Sequence, residues 1–141
     1  MKDILREKIK VVDSVCNWED GVLQAGKILL DKNFIESRYI DAAIENIKKL
    51  GMYIILTDGV AMPHARPEDG ALETGVSLLV IKDGVLFSPD EEKVKLIFML
   101  SSKDNTSHID VIKKLSNLID DEELIEKIAK ADNENEILNI I

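Results

Sequence analysis

The stretch VKLIFML at 94–100 is apolar at every position but Lys95. A strand with one face in water alternates apolar and polar residues, so a nearly unbroken apolar run needs cover on both faces. The covering layers must come from elsewhere in the chain. Two segments carry apolar stripes at helical spacing, Val22, Ala25, Ile28 and Leu29 in one and Ile40, Ala43, Ile44 and Ile47 in the other. Asn17 is the expected cap of the first, with Asp20 three residues on and an end near Asp31. Ser37 is the expected cap of the second, and Gly51 its stop.

Around these helices, IKVVDSV at 9–15 reads as a strand after a short N-terminal piece with helical character, and YIIL at 53–56 reads as another. TGVSLLVIKDGVLF holds two β runs about Asp83-Gly84, a dipeptide that tolerates the positive φ of a tight hairpin. Helical patterns then fill about 107–119, 121–131 and 134–141. Interleaved helices and strands with a hairpin predict an α/β fold: a single domain over 1–141 with a mixed β-sheet flanked by helices on both faces.

Apolar residues make up 45% of the 141-residue chain and charged residues 32%, the balance of a globular protein that can bury its own core. The longest apolar runs fall well short of the about 20 residues that cross a bilayer, and MKDILREKIK lacks a signal-peptide core. A cytoplasmic protein without direct membrane insertion is expected. Cys16 stands alone, which excludes an internal disulfide and suits a small buried hydrophobe better than a reactive thiol. A formal charge of −9 with no concentrated basic face argues against nucleic acid and favours encounter with a basic partner.

The segment GVAMPHARPEDG at 59–70 carries one of the two histidines. Pro63 fixes a backbone angle and keeps Met62 extended, so the chain entering His64 is stiff. Arg66 can meet an anion through several donors, and 67–70 reads as a turn. Met62 suits core packing or an apolar rim that receives a partner. Alone, His64 is also what an ordinary solvated loop residue looks like. His108, in DNTSHID, sits where a helix begins, with Ser107 as the expected cap and Asp110 three positions later. It heads the stripe Ile112, Leu115 and Ile119, so it should face the body or a cleft, and a hydrogen-bonded, partly buried histidine fits that place too. If the fold brings both imidazoles together at a helix N-terminus, the result is an anion site. A neutral imidazole nitrogen there could accept a phosphoryl group while the second histidine stabilises its oxygens.

GVAMPHARPEDG followed by SSKDNTSH closely resembles the type-2 EIIA domains of the phosphoenolpyruvate-dependent sugar phosphotransferase system (PTS), the fructose/mannitol class, over nearly the whole chain. PHARPEDG and DNTSH look most like the ascorbate-type branch. The resemblance implies a phosphocarrier that takes its group from the phosphohistidine of HPr and gives it to a cysteine of a IIB component, which serves a membrane IIC component and the entering sugar. It makes His64 the acceptor, through Nε2, and His108 the second active-site histidine. Mannitol-type members carry an arginine sixteen residues before the acceptor, where Lys48 stands here. Arg66 could supply that cationic support instead, and Ser107 is a further candidate supporting residue of the site. The resemblance implies no metal and no organic cofactor.

Other chemistries find less support. Two histidines and one cysteine are a poor zinc set, and no G-x-S-x-G occurs for a serine hydrolase. A nucleotide kinase is not expected either. Glu68 and Asp69 suit a solvated turn, although Asp69 could orient a neighbour. The alternative reading is a regulatory module whose phosphorylation on His64 controls a partner protein without sugar transport.

Overall fold

A computed structural model describes residues 1–141, the side chain of Met52 excepted. In chain order the elements are α1 (Lys2–Leu5), β1 (Ile9–Val12), α2 (Trp18–Asp31), α3 (Ser37–Leu50), β2 (Ile55–Thr57), β3 (Val60–Ala61), β4 (Gly75–Val85), β5 (Val94–Ser101), α4 (Ile109–Ile119), α5 (Glu122–Lys130) and α6 (Glu134–Ile140). The strands form one five-stranded sheet in the order β1-β4-β5-β3-β2. β1 runs parallel to β4 and β3 parallel to β5, while β4/β5 and β2/β3 are antiparallel. Among the described residues no helix is long and apolar enough to cross a membrane.

The pleat of β5 divides the core as its sequence requires. Leu96, Phe98 and Leu100 face one way and pack with Val111, Leu115, Leu118, Ile128 and Ile137 of α4, α5 and α6. Ile97 and Met99 face the other way, with Val22, Ala25 and Leu29 of α2 and Ile40, Ala43 and Ile47 of α3. The expected mixed sheet with helices on both faces is what the chain forms. Asn17 caps α2 by accepting from the Asp20 N–H at 2.8 Å, and Gly51 ends α3 with φ 79° and its N–H on the Ile47 carbonyl at 2.9 Å.

Several local expectations are corrected. The cap position of α3 belongs to Glu36, not Ser37, because the Glu36 N–H is held by the Gly70 carbonyl at 2.8 Å and the helix starts from that anchor. Tyr53 and Ile54 lie in a 3-10 turn over Met52–Ile54, so only Ile55–Thr57 remains of the strand expected over 53–56. Asp83-Gly84 does not reverse the chain. The Asp83 N–H donates to the Asp13 carbonyl at 2.9 Å, which keeps this stretch in the sheet, and residues 81–84 bulge opposite Lys95 between the pairs Val80↔Leu96 and Val85↔Val94. Gly84 supplies the positive φ, 72°, inside that bulge, and the reversal comes in the loop after Val85. Cys16 is exposed, in the loop entering α2, where its N–H donates to the Asp20 carboxylate at 3.0 Å.

GVLQAGK at 21–27 has the spacing of a nucleotide phosphate loop but is followed by Ile28 and lies wholly inside α2. The amides of a helix interior are committed to the helix and cannot cradle a phosphate. Its glycines serve packing. A Cβ on Gly26 would stand 2.7 Å from Cγ1 of Ile40 and 3.1 Å from Cε of Met99, so α2 approaches α3 and β5 as closely as it does only without one. Gly26→Val is expected to destabilise the fold by about 1–3 kcal/mol through overpacking, read as a lowered urea midpoint with an unchanged slope.

Candidate functional site

The two histidines reach one place because of the pairing of β3 with β5. The register Val60↔Leu96 and Ala61↔Ile97 is parallel, so both strands end at the same edge of the sheet. His64 follows the end of β3, and His108 follows the end of β5 and occupies the N-cap position of α4. Both rings line one cavity of about 210 Å³, together with Tyr39, Ala65, Arg66, Pro67, Leu100, Ser102, Asp104 and Asn105.

The half-buried His64 ring is held by its own chain. Nδ1 lies 2.9 Å from the Met62 carbonyl oxygen, and because a carbonyl only accepts, the Nδ1–H donates. In the neutral ring the lone pair is then on Nε2. Tyr53 packs edge to face against the imidazole with ring centroids 5.6 Å apart and planes at 82°. Met62 itself is half-buried against the α4 side of the core, the packing alternative of the two expected for it.

The loop after His64 rests on α3. The Ala65 N–H donates to the Tyr39 hydroxyl at 3.0 Å, and that hydroxyl donates to the Leu100 carbonyl at 2.7 Å. Arg38 Nη1 donates to the Glu68 carbonyl at 3.0 Å. Asp69 accepts from the Arg66 N–H at 3.0 Å, so this carboxylate orients its neighbour as the turn reading allowed. Burial pushes the Tyr39 phenol up to about 12, because an ionised oxygen in that setting would lose its hydration.

His108 enters the cavity differently from expectation. It stands at the N-cap of α4 with φ −80° and ψ −8°, its carbonyl accepts from the Ile112 N–H at 2.9 Å, and the buried stripe of the helix is Val111, Leu115 and Leu118. Among the described residues its Nδ1 is the one buried side-chain nitrogen or oxygen with no hydrogen-bond partner. A buried polar atom in that condition costs stability unless something satisfies it, and functional sites are where such atoms collect.

Ser107 does not cap α4, and the exposed Asp110 completes no capping box with it. The Ser107 hydroxyl and N–H both donate to the Asp104 carboxylate, at 2.6 Å each, and the Thr106 N–H donates at 2.9 Å. These donors hold the Asp104 carboxyl well below the usual carboxylate range. Both amides precede α4, so the amides of its first turn are not among the donors to Asp104. With a carboxylate already on the cavity wall, an anion there would draw on positive charge from side chains as well as from amides.

Arg66 is placed to supply it. It is exposed at the cavity mouth, and among the described residues its guanidinium makes no ion pair. Lys48 is not: it lies exposed near the end of α3 with its ammonium 3.8 Å from Glu45, and it does not line the cavity. Sequence reasoning missed Tyr39, Tyr53 and Asp104. Asp104 left a signal, since Asp followed by Asn-Thr-Ser suits an Asx turn; Tyr39 left none, because its position on α3 reads as core.

The family model described as "Phosphoenolpyruvate-dependent sugar phosphotransferase system, EIIA 2" matches residues 4–141. The chain belongs to that family. A mannitol-specific cryptic phosphotransferase enzyme IIA component of Escherichia coli K12 is 43% identical over 133 residues, 94% of this chain and 90% of the relative. An ascorbate-specific PTS EIIA component of the same strain is 30% identical over 145 residues, 100% of this chain and 94% of the relative. The EIIA fold agrees as well: the chain matches a solved complex of enzyme IIAMTL and phosphorylated enzyme IIBMTL from Escherichia coli with a TM-score of 0.82 and 28% identity, over 95% of this chain and 93% of that one. Identity over the chain is thus higher to the mannitol-type relative than to the ascorbate-specific one, the branch expected from PHARPEDG and DNTSH.

The raised Tyr39 phenol makes stability depend on pH. The folded state favours the neutral phenol, so its contribution is complete below pH 10, the ordinary tyrosine value, and is lost as pH rises towards about 12. Between those limits the parent should lose up to about 2–3 kcal/mol more than Tyr39→Phe does, measured by urea unfolding at each pH.

Proposed function

We propose that this chain is a phosphocarrier that accepts a phosphoryl group from phospho-HPr on His64 Nε2 and passes it to a cysteine of a IIB component for sugar uptake. The observation that carries this reading is the Nδ1–H of His64 on the Met62 carbonyl, which leaves Nε2 as the nucleophile. The Nε2 lone pair attacks phosphorus while the bond from phosphorus to the donor's imidazole nitrogen breaks. In the second step a thiolate attacks phosphorus, the Nε2–P bond breaks, and Nε2 regains its lone pair. No proton moves at Nδ1 in either step.

His108 and Arg66 act on the phosphoryl oxygens. The unpartnered Nδ1 of His108, when protonated, gains an acceptor as an oxygen enters the cavity, and Arg66 adds charge that Asp104 would otherwise offset. The family assignment supports the reaction class. A IIB partner is supported by the complex that IIAMTL, a chain of this fold, forms with phosphorylated IIBMTL. Transfer between side chains needs no metal and no organic cofactor.

Incubation with phosphoenolpyruvate, enzyme I and HPr is expected to place acid-labile phosphate on the parent and none on His64→Ala; equal labelling of that variant would refute the assignment. His108→Ala is expected to keep the parent's circular dichroism and to slow transfer about 10²-fold, read by rapid-quench labelling. Unchanged rates in both directions would remove His108 from the reaction.

A further inference from the structure

The register of β3 and β5 places His64 opposite Leu100 if it is carried past Ala61. The next contact obeys that register: the Leu100 N–H donates to the Pro63 carbonyl at 3.2 Å. In a parallel ladder the following rung would run from the Ala65 N–H to the Leu100 carbonyl. It does not. The Ala65 N–H donates to the Tyr39 hydroxyl at 3.0 Å, and the Tyr39 hydroxyl donates to the Leu100 carbonyl at 2.7 Å.

We infer that Tyr39 is a positioning residue of the transfer site: its hydroxyl is inserted into the β3–β5 ladder opposite His64, and by spanning with two hydrogen bonds what one would otherwise close, it sets how far the acceptor stands off the sheet. The inference rests on the reading of His64 as the phosphoryl acceptor and adds a residue that reading does not contain. Pro63 prepares the opening, since it has no N–H to give the ladder just before the inserted hydroxyl. α3 makes it rigid, because Tyr39 is 1% exposed and the same helix holds the loop through Glu36 and Arg38.

The hydroxyl fits this rung in both senses. It accepts one hydrogen bond and has one proton to give, for which the Leu100 carbonyl at 2.7 Å is nearer than the Ala65 carbonyl at 3.3 Å, so it satisfies an amide and a carbonyl that strand separation would otherwise leave unpaired. Phenylalanine keeps the ring and removes the link. The Ala65 amide must then reach Leu100 directly or go unsatisfied, and either outcome shifts the residue beside His64. A displacement of about 1 Å at a reacting group costs on the order of 10²-fold in rate.

The test compares the parent, Tyr39→Phe and Ser77→Ala. Ser77 is a fair structural control, because its buried hydroxyl donates to the Ala25 carbonyl at 2.7 Å and it does not line the histidine cavity. Single-turnover transfer from phospho-HPr is measured across donor concentrations. For Tyr39→Phe the rate at saturating donor should fall about 10–100-fold with little change in the half-saturating concentration, whereas Ser77→Ala should lose stability and keep the parent's rate. In parallel, nitrogen-15 spectra of the unphosphorylated proteins should show the Ala65 amide and His64 ring resonances moved in Tyr39→Phe and unmoved in Ser77→Ala. A parent-like rate and parent-like resonances in Tyr39→Phe would overturn the inference, as would an equal rate loss in Ser77→Ala. If the parent itself takes no phosphate on His64, the functional reading fails, and the spectra alone decide whether Tyr39 positions that ring.

Discussion

The short parallel contact of β3 with β5 is the constraint on which the site depends. β3 has only two residues, yet their register against β5 sends two distant chain segments off the same edge of the sheet. If β3 ran the other way, His64 would emerge at the far end of β5, and no adjustment of loops could return it to His108. The apolar run of β5 gives that contact its stability, because a strand buried on both faces cannot slip by one residue without exchanging its two sets of core contacts.

On that frame the two histidines are held by different means. His64 is fixed by hydrogen bonds along its own loop and by α3 beneath it, while His108 is fixed by the start of a helix whose preceding turn is tied by Asp104. The first arrangement defines a nitrogen and its direction. The second leaves a buried nitrogen unsatisfied beside an exposed arginine, next to a carboxylate whose acceptor capacity is largely spent. An anion entering the cavity would meet the Arg66 side chain as well as the start of α4.

Much of this was legible in the sequence, for definite reasons. The helical stripes, the cap at Asn17, the stop at Gly51 and the doubly covered β5 are periodic or capping signals, and these survive tertiary packing. The motif pair about His64 and His108 identified the family, and the fold brought those residues together. Tertiary competition overrode the weaker signals. Asp83-Gly84 suits a hairpin, but a bond to Asp13 holds it in a strand; Ser37 and Ser107 suit caps, but the Gly70 carbonyl holds the N–H of Glu36 and the Asp104 carboxylate takes the Ser107 hydroxyl. Tyr39 was invisible as a site residue because nothing along the chain marks a phenol that will end between two strands, and Lys48 was misleading because position along the helix did not carry its ammonium to the cavity.

The bond from the His64 ring to the Met62 carbonyl reaches beyond reactivity to chemical uniformity. On the proposed assignment of His64 as acceptor, one engaged ring nitrogen means that every copy of the protein would carry the phosphoryl group as the same positional isomer. Successive partners would then meet a single geometry, and a relay that runs in either direction needs that sameness at each exchange.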